Sequence, residues 1–250
     1  ILALRRKHGM TYEEAKNYLS KFGQEHILKC YDELSPAEQA SLLAQIDLID
    51  LSVLENLDNA NNISSKRGKF EPLGAATIDD IAANSESYEK TGLEALRAGK
   101  VAAVLLAGGQ GTRLGFDKPK GMFNIGVSRE LYIFECLISN LMDVVKQTGT
   151  WIPLYIMTSE KNHDDTVKFF EKMGYFGYNS EFVRFFIQDM APSVDFSGKI
   201  YMEDKGRISM SPNGNGGWFT SLLRAGLMED IKEKGVEWLN VFAVDNVLQR

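Results

Sequence analysis

The sequence predicts an α/β protein: a mostly parallel sheet with helices on both faces, preceded by a helical segment. Three observations carry that prediction. After residue 100, short apolar runs alternate with stretches of helical periodicity. The first hundred residues read as mainly helical, and the first apolar run ends in a cluster of glycines.

The helical part is expected to span 1–98. Thr11 and Glu14 form a capping-box pattern, in which each side chain bonds the other residue's backbone N–H. Ser35, Pro36 and Glu38 repeat it, with proline at the first helical position. Leu42, Leu43, Ile46, Ile49, Val53 and Leu57 then recur at helical spacing and predict one helix over 36–57. Residues 59–72 are polar and read as a loop, and 86–100 reads as a helix closed near Gly99. The chemistry is expected in 99–250. Val101-Ala-Ala-Val-Leu-Leu106 suits a fully buried parallel strand. A helix from about Glu130 places Phe134, Leu137, Ile138, Leu141, Val144 and Val145 on one face. Strands are expected at 152–158, 182–188 and 238–244. Helices are expected at 163–173, ended by Gly174, and 218–234, ended by Gly235. Sheets of this kind bind ligands beyond the carboxyl ends of their strands.

With 44% apolar and 25% charged residues, the composition is that of an ordinary globular protein. A net charge of -6 argues against a general nucleic-acid binder, which needs a basic face. Cys30 and Cys136, with His8, His26 and His163, show neither a zinc spacing nor a disulfide framework. No stretch approaches the ~20 apolar residues of a membrane span. The first residues lack a signal-peptide core, so the cytoplasm is the expected compartment. The chain starts at Ile1 and stops at Arg250 just after an apolar run, which reads as a piece of a longer protein.

Directly after the first strand comes Leu106-Ala-Gly-Gly-Gln-Gly-Thr-Arg-Leu-Gly115. Glycines let a backbone approach a ligand closely, and consecutive free amides cradle phosphate. The run is not a Walker A loop, because the second glycine falls on Leu114 or Phe116. It also fails the dinucleotide fingerprint, again at Leu114, which opposes an oxidoreductase reading. Arg113, Lys118 and Lys120 gather three cations within eight residues of an acidic chain, and Pro119 restrains the last two. Such a cluster calls for an anion. Gln188 follows an apolar strand and offers both a donor and an acceptor. Asn213-Gly-Asn-Gly-Gly217 precedes a helix and reads as a turn or as a ligand-contacting loop. Asp245, after Val241-Phe-Ala-Val244, reads as a turn residue or as a Mg²⁺ ligand.

The run AGGQGTRLG…PKGM resembles the signature of the UDP-sugar pyrophosphorylases. Phe185-Phe-Ile-Gln188, Ser211-Pro-Asn-Gly-Asn-Gly-Gly217 and Val244-Asp245-Asn246 follow in the family's order. The resemblance covers about residues 100–250 and is nearest to the enzymes acting on N-acetylglucosamine 1-phosphate. It implies a Rossmann-like, GT-A-like nucleotidyltransferase domain. It further implies that Ala107, Gly108 and Gly109 line the nucleotide, and that Arg113 and Lys120 act on the triphosphate. By the same resemblance Gln188, Gly214 and Asn215 contact uridine, and Asp245 is linked to Mg²⁺. The implied reaction joins UTP to N-acetylglucosamine 1-phosphate and releases pyrophosphate. Glucose 1-phosphate is the alternative sugar, and a UTP-binding piece without turnover is the alternative function.

Overall fold

The computed structural model describes residues 9–52, 54 and 71–249. Chain contacts divide it into two compact units: Ile1–Pro72 with Met190–Ser211, and Leu73–Asp189 with Pro212–Arg250.

In chain order the helices are α1 (Tyr12–Lys21), α2 (Pro36–Leu48), α3 (Ile78–Ala83), α4 (Ser85–Arg97), α5 (Ile133–Thr148), α6 (His163–Lys172), α7 (Trp218–Arg224) and α8 (Leu227–Glu233). The strands are β1 (Val101–Leu106), β2 (Leu154–Thr158), β3 (Val183–Ile187), β4 (Met190–Pro192), β5 (Met202–Asp204), β6 (Arg207–Ile208), β7 (Met210–Pro212) and β8 (Trp238–Ala243). None of the described helices is long and apolar enough to cross a membrane.

Both predicted capping boxes form. Glu14 and Glu38 each return a carboxylate to the backbone N–H of their cap residue, at 2.8 and 2.9 Å. The first unit packs Ala15 and Leu19 of α1 against Leu42 and Ile46 of α2. It also takes in Ile200 and Ile208 from the far segment 190–211. Side-chain amides make that long-range join. Gln24 donates to Gly198 O at 2.9 Å and accepts from Ile200 N–H at 3.0 Å, while Gln45 accepts from Ile208 N–H at 2.9 Å.

In the second unit, β1, β2, β3 and β8 form one sheet in the order β3-β2-β1-β8, parallel at every pairing. Strand alternation in β1 feeds two cores. Ala103 and Leu105 face Phe134, Leu137 and Ile138 of α5 and Phe170 of α6. Ala102, Val104 and Leu106 face Leu222 of α7 and Ile231 of α8. Helices therefore cover both faces, which is why β1 and β2 are continuous apolar runs.

Several expectations need correction. The helix expected over 36–57 stops at Leu48, and Ile49 is already extended. Its apolar continuation at Ile49 and Leu51 is buried all the same, so the apolar pattern outlasts the helix. Val53, Leu57 and most of the expected 59–72 loop lie outside the described residues. The helix expected over 218–234 is two helices, because Gly226 takes φ 75° and ends the first. Residues 190–212 hold β4 to β7, short strands whose two- or three-residue runs carry no periodic signal. The expected boundary at 98/99 also differs from the division found. Residues 73–98 belong with the sheet, where Leu96 packs on its core, and 190–211 belong with the N-terminal helices.

Candidate active site

β1 has β2 on one side and β8 on the other, so the chain winds outward in opposite senses from this point. Ligands bind at such a switch point, outside the strands' carboxyl ends. A cavity of about 180 Å³ lies there, wholly within the second unit. Gly108 and Gly109 line it from the loop after β1, and Lys120 from the following loop. Gln188 enters after β3, Gly214 and Asn215 from the turn before α7, and Asp245 after β8. Seven of the nine residues to which the resemblance gives a role thus meet in one cleft.

The glycine loop presents backbone donors. The N–H groups of Gly108, Gly109 and Gln110 donate to no group among the described residues. Gly108 and Gly109 line the cleft and Gln110 follows them, and successive free amides of this kind suit an anion. Gly108 is also required by close approach, since a Cβ there would lie 2.7 Å from the Gln188 Nε2. The Gln188 side chain rests on that bare backbone and is 6% exposed, with its own N–H bonded to Thr158 O at 2.8 Å. Its carboxamide opens on the cavity, with no hydrogen-bond partner among the described residues. A largely buried side chain whose amide opens on a cleft is matched to a ligand that both donates and accepts.

Lys120 is placed by two backbone constraints. Its N–H bonds Gly109 O at 3.2 Å. The neighbouring Gly121 lies so close to the Phe134 ring that a Cβ would collide with it. Its Nζ meets Asp245 Oδ1 at 2.5 Å, with the lysine side chain 20% and the aspartate 64% exposed. Lys120 is therefore a partly sheltered lining residue. Asp245 is held from behind: Val244 N–H bonds Leu106 O at 3.0 Å, and Asn140 of α5 donates to Val247 O at 3.1 Å and Gln249 O at 2.8 Å.

The remaining predicted residues stand outside the lining. Ala107 is buried, its N–H bonded to Met157 O at 2.8 Å and its carbonyl to Asn162 Nδ2 at 3.1 Å, so it anchors the loop. Arg113 is exposed on the short turn Thr112–Leu114. Lys118 pairs at 3.8 Å with Asp165. Among the described residues no three His, Cys, Asp or Glu side chains gather as a metal cluster. Asp245 is then a lone carboxylate, which fits a metal that takes most of its ligands from phosphates and water.

Sequence reasoning missed the supports. Asp189 accepts from Asn213 N–H at 3.1 Å and pairs with Arg224 at 3.0 Å, and Ser221 Oγ receives its N–H at 2.8 Å. This small network joins Gln188 to the turn carrying Gly214 and Asn215. Asn213, Ser221 and Arg224 lie 24 to 35 positions from Asp189, so no local pattern could have flagged them.

A parallel α/β sheet with an amide-lined, lysine-bearing cleft at its switch point defines a nucleotide-binding domain of the nucleotidyltransferase type. The chain belongs to the UTP–glucose-1-phosphate uridylyltransferase family, which matches residues 46–250. It is 35% identical over 260 residues to UDP-N-acetylglucosamine diphosphorylase 2 of Arabidopsis thaliana, covering 97% of this chain and 51% of that protein. With UDP-N-acetylglucosamine pyrophosphorylase of Saccharomyces cerevisiae it shares 34% over 255 residues, 95% of this chain and 54% of the relative. The solved uridine diphosphate N-acetylglucosamine pyrophosphorylase of Trypanosoma brucei, in complex with inhibitor, matches with a TM-score of 0.73 at 29% identity. That match covers 97% of this chain and 53% of the other. The chain thus spans about half the length of the curated relatives it matches.

Proposed function

We propose that this chain supplies the nucleotide-binding part of a uridylyltransferase that joins UTP to N-acetylglucosamine 1-phosphate, giving UDP-N-acetylglucosamine and pyrophosphate. The observation that carries the reading is the cleft itself: free amides, a lysine and an unpartnered carboxamide converge in one cavity. The relatives' names support N-acetylglucosamine as the sugar. The family's description supports glucose 1-phosphate as the second reading.

In the proposed reaction a phosphate oxygen of the sugar 1-phosphate attacks the α-phosphorus of UTP. The bond from that phosphorus to the bridging oxygen breaks, and pyrophosphate departs with the electron pair. Charge grows on the leaving group, so fixed donors favour the transition state over the ground state. The loop amides and Lys120 supply those donors. Gln188 holds the uracil edge, with Gly214 and Asn215 beside it. No covalent enzyme intermediate is needed, since positioning and charge neutralisation suffice. Asp245 would help hold Mg²⁺ against the phosphates, where the ion's charge offsets that of the triphosphate.

Calorimetry with UTP and ATP tests the binding half. Adenine would leave the buried Gln188 groups unpaired, at roughly 1–3 kcal/mol for each. UTP should therefore bind at least about tenfold more tightly. Equal affinities would remove the uridine assignment. Turnover with each sugar 1-phosphate, measured on the full-length protein, separates the two sugar readings.

A further inference from the structure

Asn162 is a fully buried side chain, 0% exposed, in the loop between β2 and α6. Its Nδ2 reaches two carbonyls of the glycine loop, Ala107 O at 3.1 Å and Gly109 O at 3.4 Å. Its Oδ1 accepts Ser159 N–H at 2.7 Å, and its own carbonyl accepts Thr166 N–H at 3.0 Å from α6. The carboxamide is thus fixed from one side by the sheet and helix, and grips the loop with the other.

The consequence follows from peptide geometry. The chain has no cis peptide bond. In a trans peptide unit the C=O and the following N–H point in opposite directions. Drawing Ala107 O inward turns Gly108 N–H outward, and Gly109 O, shared between Asn162 Nδ2 and Lys120 N–H, likewise turns Gln110 N–H away from them. These are two of the three amides that find no acceptor among the described residues, and Gly108 lines the cleft. We infer that Asn162 is a positioning residue that aims the Gly108 and Gln110 N–H groups at the phosphates of the nucleotide. The inference rests on the proposed UTP site and adds a residue that touches no substrate.

The experiment compares UTP with uridine on the 250-residue chain and its Asn162→Asp and Asn162→Ala variants. Asp keeps the shape and the acceptor but loses both donors. UTP affinity should fall by about tenfold or more in both variants, the scale of losing two oriented hydrogen bonds. Uridine affinity, which depends on Gln188 and the Gly214–Asn215 turn, should change less than about twofold. Parallel losses for UTP and uridine would show general damage and overturn the positioning role, as would unchanged UTP affinity. If the variants fail to fold, amide NMR on the parent decides. Gly108 and Gln110 resonances should shift with UTP and not with uridine, and their indifference to UTP would overturn the inference. A parent chain that binds no UTP would instead refute the proposed function.

Discussion

At the scale of single residues, the pairing of Lys120 with Asp245 decides how the cleft meets its ligand. The two groups chosen separately for phosphate and metal hold each other at 2.5 Å. On the proposed reading, a nucleotide separates them, the lysine moving to phosphate and the carboxylate becoming free for a cation. With Asp245 mostly exposed, the pair itself is worth under about 1 kcal/mol to folding. Lys120→Ala should therefore lower UTP affinity by on the order of tenfold or more while barely moving the thermal midpoint. Asp245→Asn should leave metal-free UTP affinity equal or higher, since nothing then competes for the Lys120 ammonium. It should also abolish the gain in UTP affinity on adding Mg²⁺. Calorimetric titrations with and without Mg²⁺ check both, and a variant with the parent's Mg²⁺ dependence would reduce Asp245 to a turn residue. Both residues could be singled out in the sequence, Lys120 from its cation cluster and Asp245 from its place after a strand, and the resemblance implied their roles. Their contact was not, because they stand 125 positions apart.

Secondary elements set where these side chains stand. The loop carrying Lys120 can lie flat on α5 only because Gly121 offers no Cβ to the buried Phe134 ring. Gly121→Ala must push the loop or the ring aside, an overpacking strain of about 1–3 kcal/mol. It should depress both the thermal midpoint and UTP affinity, whereas Lys120→Ala depresses only the second. Melting curves with and without UTP distinguish the two. If Gly121→Ala bound UTP as the parent does, the loop's seat on α5 would be irrelevant to the site. The motif Lys-Pro-Lys-Gly was visible in the sequence, but its glycine could be read there only as part of a pattern. The reason for it lies in α5, whose Phe134 arrives from a separate amphipathic stretch.

For the whole molecule, the two units have separate cores, and every residue lining the cleft belongs to the second. Gln24 serves the first unit. It is 3% exposed and bonds Phe22 O, Gly198 O and Ile200 N–H. Gln24→Ala would leave buried backbone groups of the segment near Ile200 without partners, destabilising the unit by roughly 2–4 kcal/mol. UTP affinity at temperatures where the protein stays folded should not change. Denaturant unfolding with calorimetry of UTP on the same samples checks this. A loss of affinity in step with the loss of stability would mean that the first unit supports the cleft.

The amino-acid order alone determined the alternation of apolar strands and amphipathic helices, both capping boxes, and the glycine, lysine, amide and carboxylate motifs. Each of these is written in neighbouring residues, through backbone sterics, hydrogen-bond geometry or a period of 2 or 3.6. Tertiary structure alone decided the rest. It chose which strand lies beside which, and so put β8 next to β1 and Asp245 next to Lys120. It carried residues 190–211 back to the N-terminal helices. It left Ala107 and Arg113 outside the cavity lining and gave Asn162 a hold on the glycine loop from 53 and 55 positions away. Those outcomes depend on shape fit and hydrogen-bond satisfaction between distant segments, and no local pattern of residue types encodes them.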